Sequence, residues 1–121
     1  MRLLATLSLA LWLTVAEAQS IRLLIQASPL AGSQYYALGT FWSQIRVGDE
    51  LDLVREADNR HDARAIRVDW QGHQLGYLPR VQNRALSAAM DKGERLRGRV
   101  ASLTEHPDPW RRVIVEVYLE L

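Results

Sequence analysis

The sequence predicts a mainly β domain of about six short strands, a small β-barrel or curled sheet, with one helix inserted late in the chain. Three observations predict it. Apolar and polar residues alternate over short runs in several separate places, the period of a strand with one buried face. Helical spacing of apolar residues occurs in one stretch only, just after Pro79. And the chain beyond its first eighteen residues has neither repeat nor linker, so residues 19–121 read as a single domain around one core.

Taken in order, the first segment is "MRLLATLSLALWLTVAEAQS". Arg2 precedes an uncharged apolar run from Leu3 to Val15, and Ala16-Glu17-Ala18 is a small-x-small site. Residues 1–18 are therefore expected to be a secretory signal peptide, with Gln19 first in the mature chain. The apolar run is short for a membrane span, which needs roughly 20 residues. The expected localisation is periplasmic or secreted, with no membrane attachment after cleavage. Ile21 to Gln26 alternates, with Ile21, Leu23 and Ile25 on one face, and reads as a first strand ended by Ser28-Pro29 and Gly32-Ser33. "QYYALGTFW", Gln34 to Trp42, is rich in aromatic residues. After a turn at Val47 to Glu50, Leu51 to Arg55 forms a short strand. Ala65 to Trp70 and Gln74 to Leu78 read as a hairpin about Gln71-Gly72. Pro79 opens the helix, with Val81, Ala85, Leu86, Ala89 and Met90 on one face and Gly93 placed to end it. Arg95 to Leu103 and Val113 to Leu121 alternate again and supply the last two strands, joined by the loop "TEHPDPW".

Composition excludes several classes. With no cysteine there is no disulfide, no thiolate metal site and no lipidated cysteine. An exported domain without disulfides fits a bacterial periplasm better than a small extracellular module. The net charge of +1 points to no partner, but the positive charge is carried by fourteen Arg and a single Lys, Lys92. Arginine is the better bidentate ligand for phosphate; arginine-favouring base composition explains the same count. Arg95, Arg97 and Arg99 share one strand face. Such a stripe can follow a nucleic-acid backbone, but Glu116 and Glu120 on the neighbouring strand are placed to pair with it, and pairing is the expectation.

One stretch is denser in polar groups than a connection between strands needs. "READNRHDARAIRVDW", residues 55–70, sets Asn59, His61 and Asp62 within four positions before a strand. The longer segment "GDELDLVREADNRHDARAIRVDWQGHQLGYLPR", Gly48 to Arg80, resembles the HIRAN domain family. The resemblance rests on Gly48-Asp49, Arg55-Glu56, Asn59, Asp62, Ala65-Ile66, Val68 and Gly76-Tyr77-Leu78-Pro79, with Tyr35-Tyr36 matching the aromatic pair that precedes them. It extends over almost all of the mature chain. It implies an OB-like barrel with a helical insertion, in agreement with the strand count. It also implies a nucleic-acid ligand, because in a eukaryotic DNA-remodelling helicase a domain of this family captures the 3′ end of single-stranded DNA. The helicase and zinc-finger partners of other members have no counterpart here.

Carried over residue by residue, the resemblance implies that Tyr35 stacks on a base, that Asn59 and Asp62 reach the terminal nucleotide, and that Arg80 holds a phosphate oxygen. Gln34 stands where the DNA-binding version has Arg, and His61 where it has a second Tyr. The first departure removes a charge; the second exchanges a stacking ring for a smaller one. Two readings of Asn59 and Asp62 stand side by side: they contact a ligand, or they bond nearby backbone and shape the loop. Tyr77 reads as core. His61-Asp62 alone does not make a metal site, since three or four ligands are needed, and His73 and His106 lie elsewhere. No catalytic constellation, metal or cofactor is expected. The sequence thus predicts a non-enzymatic module that binds single-stranded DNA or its 3′ end. The rival is an exported periplasmic protein of the same fold with a non-nucleic-acid ligand or a protein partner.

Overall fold

The structure is a computed structural model and describes residues 21–121. The expected signal peptide, residues 1–18, lies outside the described residues. Six antiparallel strands form one sheet: β1 (Arg22–Pro29), β2 (Glu50–Glu56), β3 (Ala65–Trp70), β4 (His73–Tyr77), β5 (Arg95–Leu103) and β6 (Val113–Glu120), in the spatial order β1-β6-β5-β2-β3-β4. Helix α1 (Leu38–Phe41) lies between β1 and β2, and helix α2 (Asn83–Asp91) between β4 and β5.

The alternation seen in the sequence has its physical cause in the core. Leu96, Gly98 and Val100 of β5 face inward with Val113, Val115 and Val117 of β6, while Arg95, Arg97 and Arg99 face solvent. Two arginines of the stripe pair as expected, Arg99 with Glu116 at 3.0 Å and Arg97 with Glu120 at 3.5 Å, and Arg97 also reaches Asp52 of β2 at 3.2 Å, while Arg95 has no ion-pair partner among the described residues. Leu51, Ile66, Val68, Leu75, Leu78 and Leu86 complete the centre of the core. Burying each such side chain contributes about 1.5–3 kcal/mol. The β3–β4 hairpin turns on Gln71 and Gly72, whose φ angles of 46° and 81° are both positive, as a turn matching the twist of the strands requires.

Three expectations are corrected. The barrel is not closed. The sheet edges β1 and β4 share no ladder and meet at one bridge, where Ala31 and Tyr77 exchange two backbone hydrogen bonds of 2.8 and 2.9 Å. β1 ends at Pro29 and β4 has only five residues, so the two edges overlap too little for more. Second, the early part of β1 is not half buried: Ile21, Leu23, Leu24 and Ile25 are all exposed. A bulge between Leu24 and Gln26 breaks the alternation, and the buried residues of this strand and its extension are Ser28 and Leu30.

Third, the helix begins later than Pro79 and its buried face is rotated. Arg80–Gln82 forms a 3-10 turn before α2 starts at Asn83. The tighter turn advances about 120° per residue rather than 100°, so a face drawn at uniform helical spacing is displaced. Val81 is 91% exposed, Ala85 is exposed as well, and the buried stripe is Asn83, Leu86 and Ser87. A further element went unread in the sequence. The aromatic segment folds as a 3-10 turn, Ser33–Tyr35, followed by α1, which buries Leu38 and stacks Phe41 on His73 with ring centroids 4.1 Å apart. No helix among the described residues is long and apolar enough to cross a membrane.

Candidate nucleic-acid interface

The polar loop between β2 and β3 is built on Asn59. Its Oδ1 accepts the backbone N–H groups of His61 at 2.9 Å and Asp62 at 3.1 Å, so one side chain folds the loop back on itself. Asp62 Oδ1 accepts the N–H of Arg64 at 2.9 Å and extends the same device by one turn. The loop-shaping reading of Asn59 and Asp62 is thus visible in the geometry. It does not exhaust them, because Asp62 Oδ2 makes no hydrogen bond among the described residues.

The loop is tied to the sheet through Glu56 at the end of β2. Glu56 Oε1 accepts the Tyr77 hydroxyl at 2.7 Å and Asn59 Nδ2 at 3.0 Å. Glu56 Oε2 accepts Arg67 at 3.1 Å, and Arg67 in turn grips Asp69 through two nitrogens at 2.9 and 3.0 Å. The chain Asp69–Arg67–Glu56 therefore crosses from strand to loop and holds the Asn59 side chain in place. Partial burial pushes the Glu56 carboxyl up, but hydrogen bonds from Tyr77, Asn59 and Arg67 outweigh it and hold its pKa below the ordinary carboxylate value. Burial, together with the hydrogen bond to the Glu56 carboxylate, pushes the Tyr77 phenol up to about 12. The hydrogen bonds to Asp69 raise the already high pKa of Arg67.

Beside this network lies a cleft of about 280 Å³, lined by Ala31, Tyr36, Asn59, His61, Asp62, Ala65, Tyr77, Leu78, Arg80 and Asn83. It sits astride the bridge between the two sheet edges, with Ala31 on one side and Tyr77 on the other. Tyr36 and Tyr77 meet edge to face with centroids 5.8 Å apart and form an aromatic wall. Arg80 joins the lining from the 3-10 turn that directly follows Pro79. That turn is pinned to β1, since Gln82 Oε1 accepts hydrogen bonds from Ser28 and Gln26. A second cleft of about 320 Å³, lined by Leu38, Gly39, Trp42, Glu105, His106 and Arg112, contains none of the loop residues.

Of the residues singled out in the sequence, Asn59, His61, Asp62 and Arg80 converge on the first cleft. Tyr35 and Gln34 do not line it; both are exposed on the 3-10 turn just before Tyr36, Tyr35 to 78%. Three lining residues escaped the sequence reading. Tyr36 was not separated from Tyr35, and Tyr77 read as core. Asn83 carried no sequence signal, because its place in the buried stripe of α2 with Leu86 follows from where the helix starts, and a buried amide needs partners. It is 1% exposed, and its Oδ1 has no hydrogen-bond partner. Among the described residues no three His, Asp or Glu side chains cluster as metal ligands.

Sheet, loop and cleft together define a small β module that presents an aromatic wall, an acidic acceptor and a guanidinium to a ligand at its edge. The family model of the HIRAN domain matches residues 25–121, and the chain belongs to the HIRAN family, a family of nucleic-acid-binding modules. A HIRAN domain by itself is a binding module, not a catalytic domain. Among solved structures, a protein from Lactobacillus plantarum is similar over 84% of this chain and 98% of its own, with 28% identity and a TM-score of 0.73. The HIRAN domain of human HLTF shares the fold, with a TM-score of 0.57 and 21% identity over 84% of this chain and 73% of that one. No curated protein matches the chain.

Proposed function

We propose that this chain captures the end of a single strand of DNA in the cleft and performs no chemistry on it. The observation that carries the reading is the meeting of Asp62 and Arg80 in the lining of one aromatic-walled cleft. A carboxylate oxygen left without a hydrogen bond accepts a terminal sugar hydroxyl and repels a phosphate, so Asp62 selects a free 3′ end. Arg80 takes a neighbouring phosphate oxygen. Asn59, His61 and the buried Asn83 offer polar edges to the terminal nucleotide, Tyr36 walls it, and the exposed ring of Tyr35 receives a base by stacking. Gln34 lies next to that ring and supplies a neutral contact. Fluorescence anisotropy with a short oligonucleotide bearing a 3′ hydroxyl, against the same strand bearing a 3′ phosphate, tests the proposal. The hydroxyl strand is expected to bind more tightly, and equal binding overturns the role of Asp62.

We also propose export, on the strength of Arg2, the apolar run to Val15 and the Ala16-Glu17-Ala18 site. Intact-mass measurement checks it: the export reading expects a chain beginning at Gln19 in the periplasmic fraction, and a full-length chain in the cytosol overturns it. That same N-terminal pattern favours one second reading, a periplasmic HIRAN-fold protein whose cleft holds a non-nucleic-acid ligand or a protein partner. Absence of oligonucleotide binding even at low salt decides for it.

A further inference from the structure

The cleft does not end at Arg80. It continues into a groove of about 430 Å³ lined by Asp62, Ala63, Arg64, Arg80, Val81 and Arg84, and Asp62 and Arg80 belong to both. Arg80, on the 3-10 turn, and Arg84, in the first turn of α2, both line this groove. Arg64 faces them from the loop, its backbone N–H held by Asp62 Oδ1 while its guanidinium is left to solvent.

These three arginines line one groove and are unengaged, as are Arg60 and Arg95 elsewhere on the surface. On the sheet, Arg22 pairs with Glu50, Arg55 with Asp91, Arg67 with Asp69, Arg97 with Asp52 and Arg99 with Glu116. Among the described residues, Arg64, Arg80 and Arg84 have no ion-pair partner. A paired guanidinium has its field largely cancelled by its carboxylate; three unpaired ones around a groove give a net positive field. The groove's single carboxylate, Asp62, stands at its boundary with the cleft. A free hydroxyl at that boundary and phosphates beyond it satisfy both signs of charge.

Resting on the cleft reading above, we propose that this groove carries the backbone of the captured strand, with Arg64 and Arg84 as phosphate ligands beyond Arg80. The site then grips several nucleotides, not the terminal one alone. The experiment titrates a short oligonucleotide, as 3′ hydroxyl and as 3′ phosphate, from about 0.1 to 1 M salt. The proteins are the unaltered chain, the double variant Arg64→Gln/Arg84→Gln, its Lys/Lys counterpart, and Arg95→Gln as a control at an exposed, unpaired arginine of β5 that lines neither the cleft nor the groove. Each single-strand phosphate contact contributes about 0.7 to the slope of log affinity against log salt. Loss of two contacts flattens the slope by about 1.4, which corresponds to roughly 25-fold weaker binding at 0.1 M and convergence at 1 M. The double variant is expected to show that change while keeping the preference for the hydroxyl end and its melting temperature, and the Lys/Lys variant to restore most of the slope. An unchanged slope in the double variant overturns the groove and leaves the cleft reading standing. An equal loss in Arg95→Gln overturns it too, since diffuse charge then explains the effect. If the unaltered chain shows no preference for a hydroxyl end, the cleft reading fails and the groove falls with it.

Discussion

Replacing Glu56 by alanine should cost the domain stability and the loop its shape together. The side chain accepts hydrogen bonds from Tyr77 at 2.7 Å, Asn59 at 3.0 Å and Arg67 at 3.1 Å. Hydrogen bonds to a charged group contribute about 1.5–3 kcal/mol when well buried. The Glu56 side chain is 21% exposed, so water replaces part of each bond in the variant, and about 1 kcal/mol apiece is the better figure. Arg67 keeps both contacts to Asp69, so its share is small. The sum is about 2 kcal/mol, carried by Tyr77 and Asn59. For a domain near a hundred residues this lowers the melting temperature by roughly 8–16 °C. A thermal melt followed by circular dichroism measures it. Tyr77→Phe alone should cost about 1 kcal/mol, and should add almost nothing when Glu56 is already alanine, because the hydroxyl then has no carboxylate to lose. Two outcomes would refute the reasoning: a Glu56→Ala variant melting within about 2 °C of the unaltered chain, or full additivity of the two substitutions. Oligonucleotide affinity should fall with Glu56→Ala as well, since Asn59 is released from the position that folds the loop.

Gly76→Ala should destabilise more than any surface substitution, because a Cβ there would lie 2.4 Å from the backbone oxygen of Ala31. Either the bridge opens or β4 shifts, and a cost of about 2–3 kcal/mol is expected in a denaturant melt. Stability should fall at both ends of the pH scale. The lowered pKa of Glu56 contributes stability that is present above the ordinary carboxylate value and is lost as the pH drops through its own, lower one; the raised pKa of Tyr77 contributes stability present below pH 10 and lost as the pH rises toward 12. Melts across pH should show both losses, and Tyr77→Phe should remove the alkaline one. In binding, Tyr35→Ala should weaken a single strand by about 1–3 kcal/mol through lost stacking and leave the melting temperature unchanged, since the ring is exposed. Tyr36→Ala should weaken binding and also lower stability, because that ring packs on Tyr77.

The strands that read most clearly in the sequence are those whose two faces meet different surroundings. β5 as far as Val100 and β6 as far as Tyr118 alternate because one face meets the core and the other meets water and the opposite charges of the next strand. β3 was found at its full extent for a different reason, since turn residues bound it on the hairpin side and the loop on the other. β1 misled because its apolar residues are exposed on an edge and a bulge at Ile25 breaks the period. Val81 and Ala85 misled because a 3-10 turn precedes α2, and nothing in the spacing of apolar residues separates the two kinds of helix. Of the cleft, the loop residues were legible because Asn59 and Asp62 bond close along the chain. The partners that come from afar, Tyr77 and Asn83, were not. Their role depends on which face of the sheet or helix the tertiary fold turns toward the loop.

The bridge between Ala31 and Tyr77 has a consequence for how the molecule assembles. All six strands are joined to their neighbours by five ladders that form progressively, residue by residue. The bridge instead joins segments far apart in the chain through two hydrogen bonds and no cooperative extension, and closing so long a loop is entropically costly. It is the contact expected to form last and to open first, well below the free energy of global unfolding. The cleft straddles it, so a seated ligand holds both sides and binds the closed form alone. Ligand should therefore slow amide exchange at Ala31 and Tyr77 more than in the strands of the core, because binding removes the local opening through which those two protons escape.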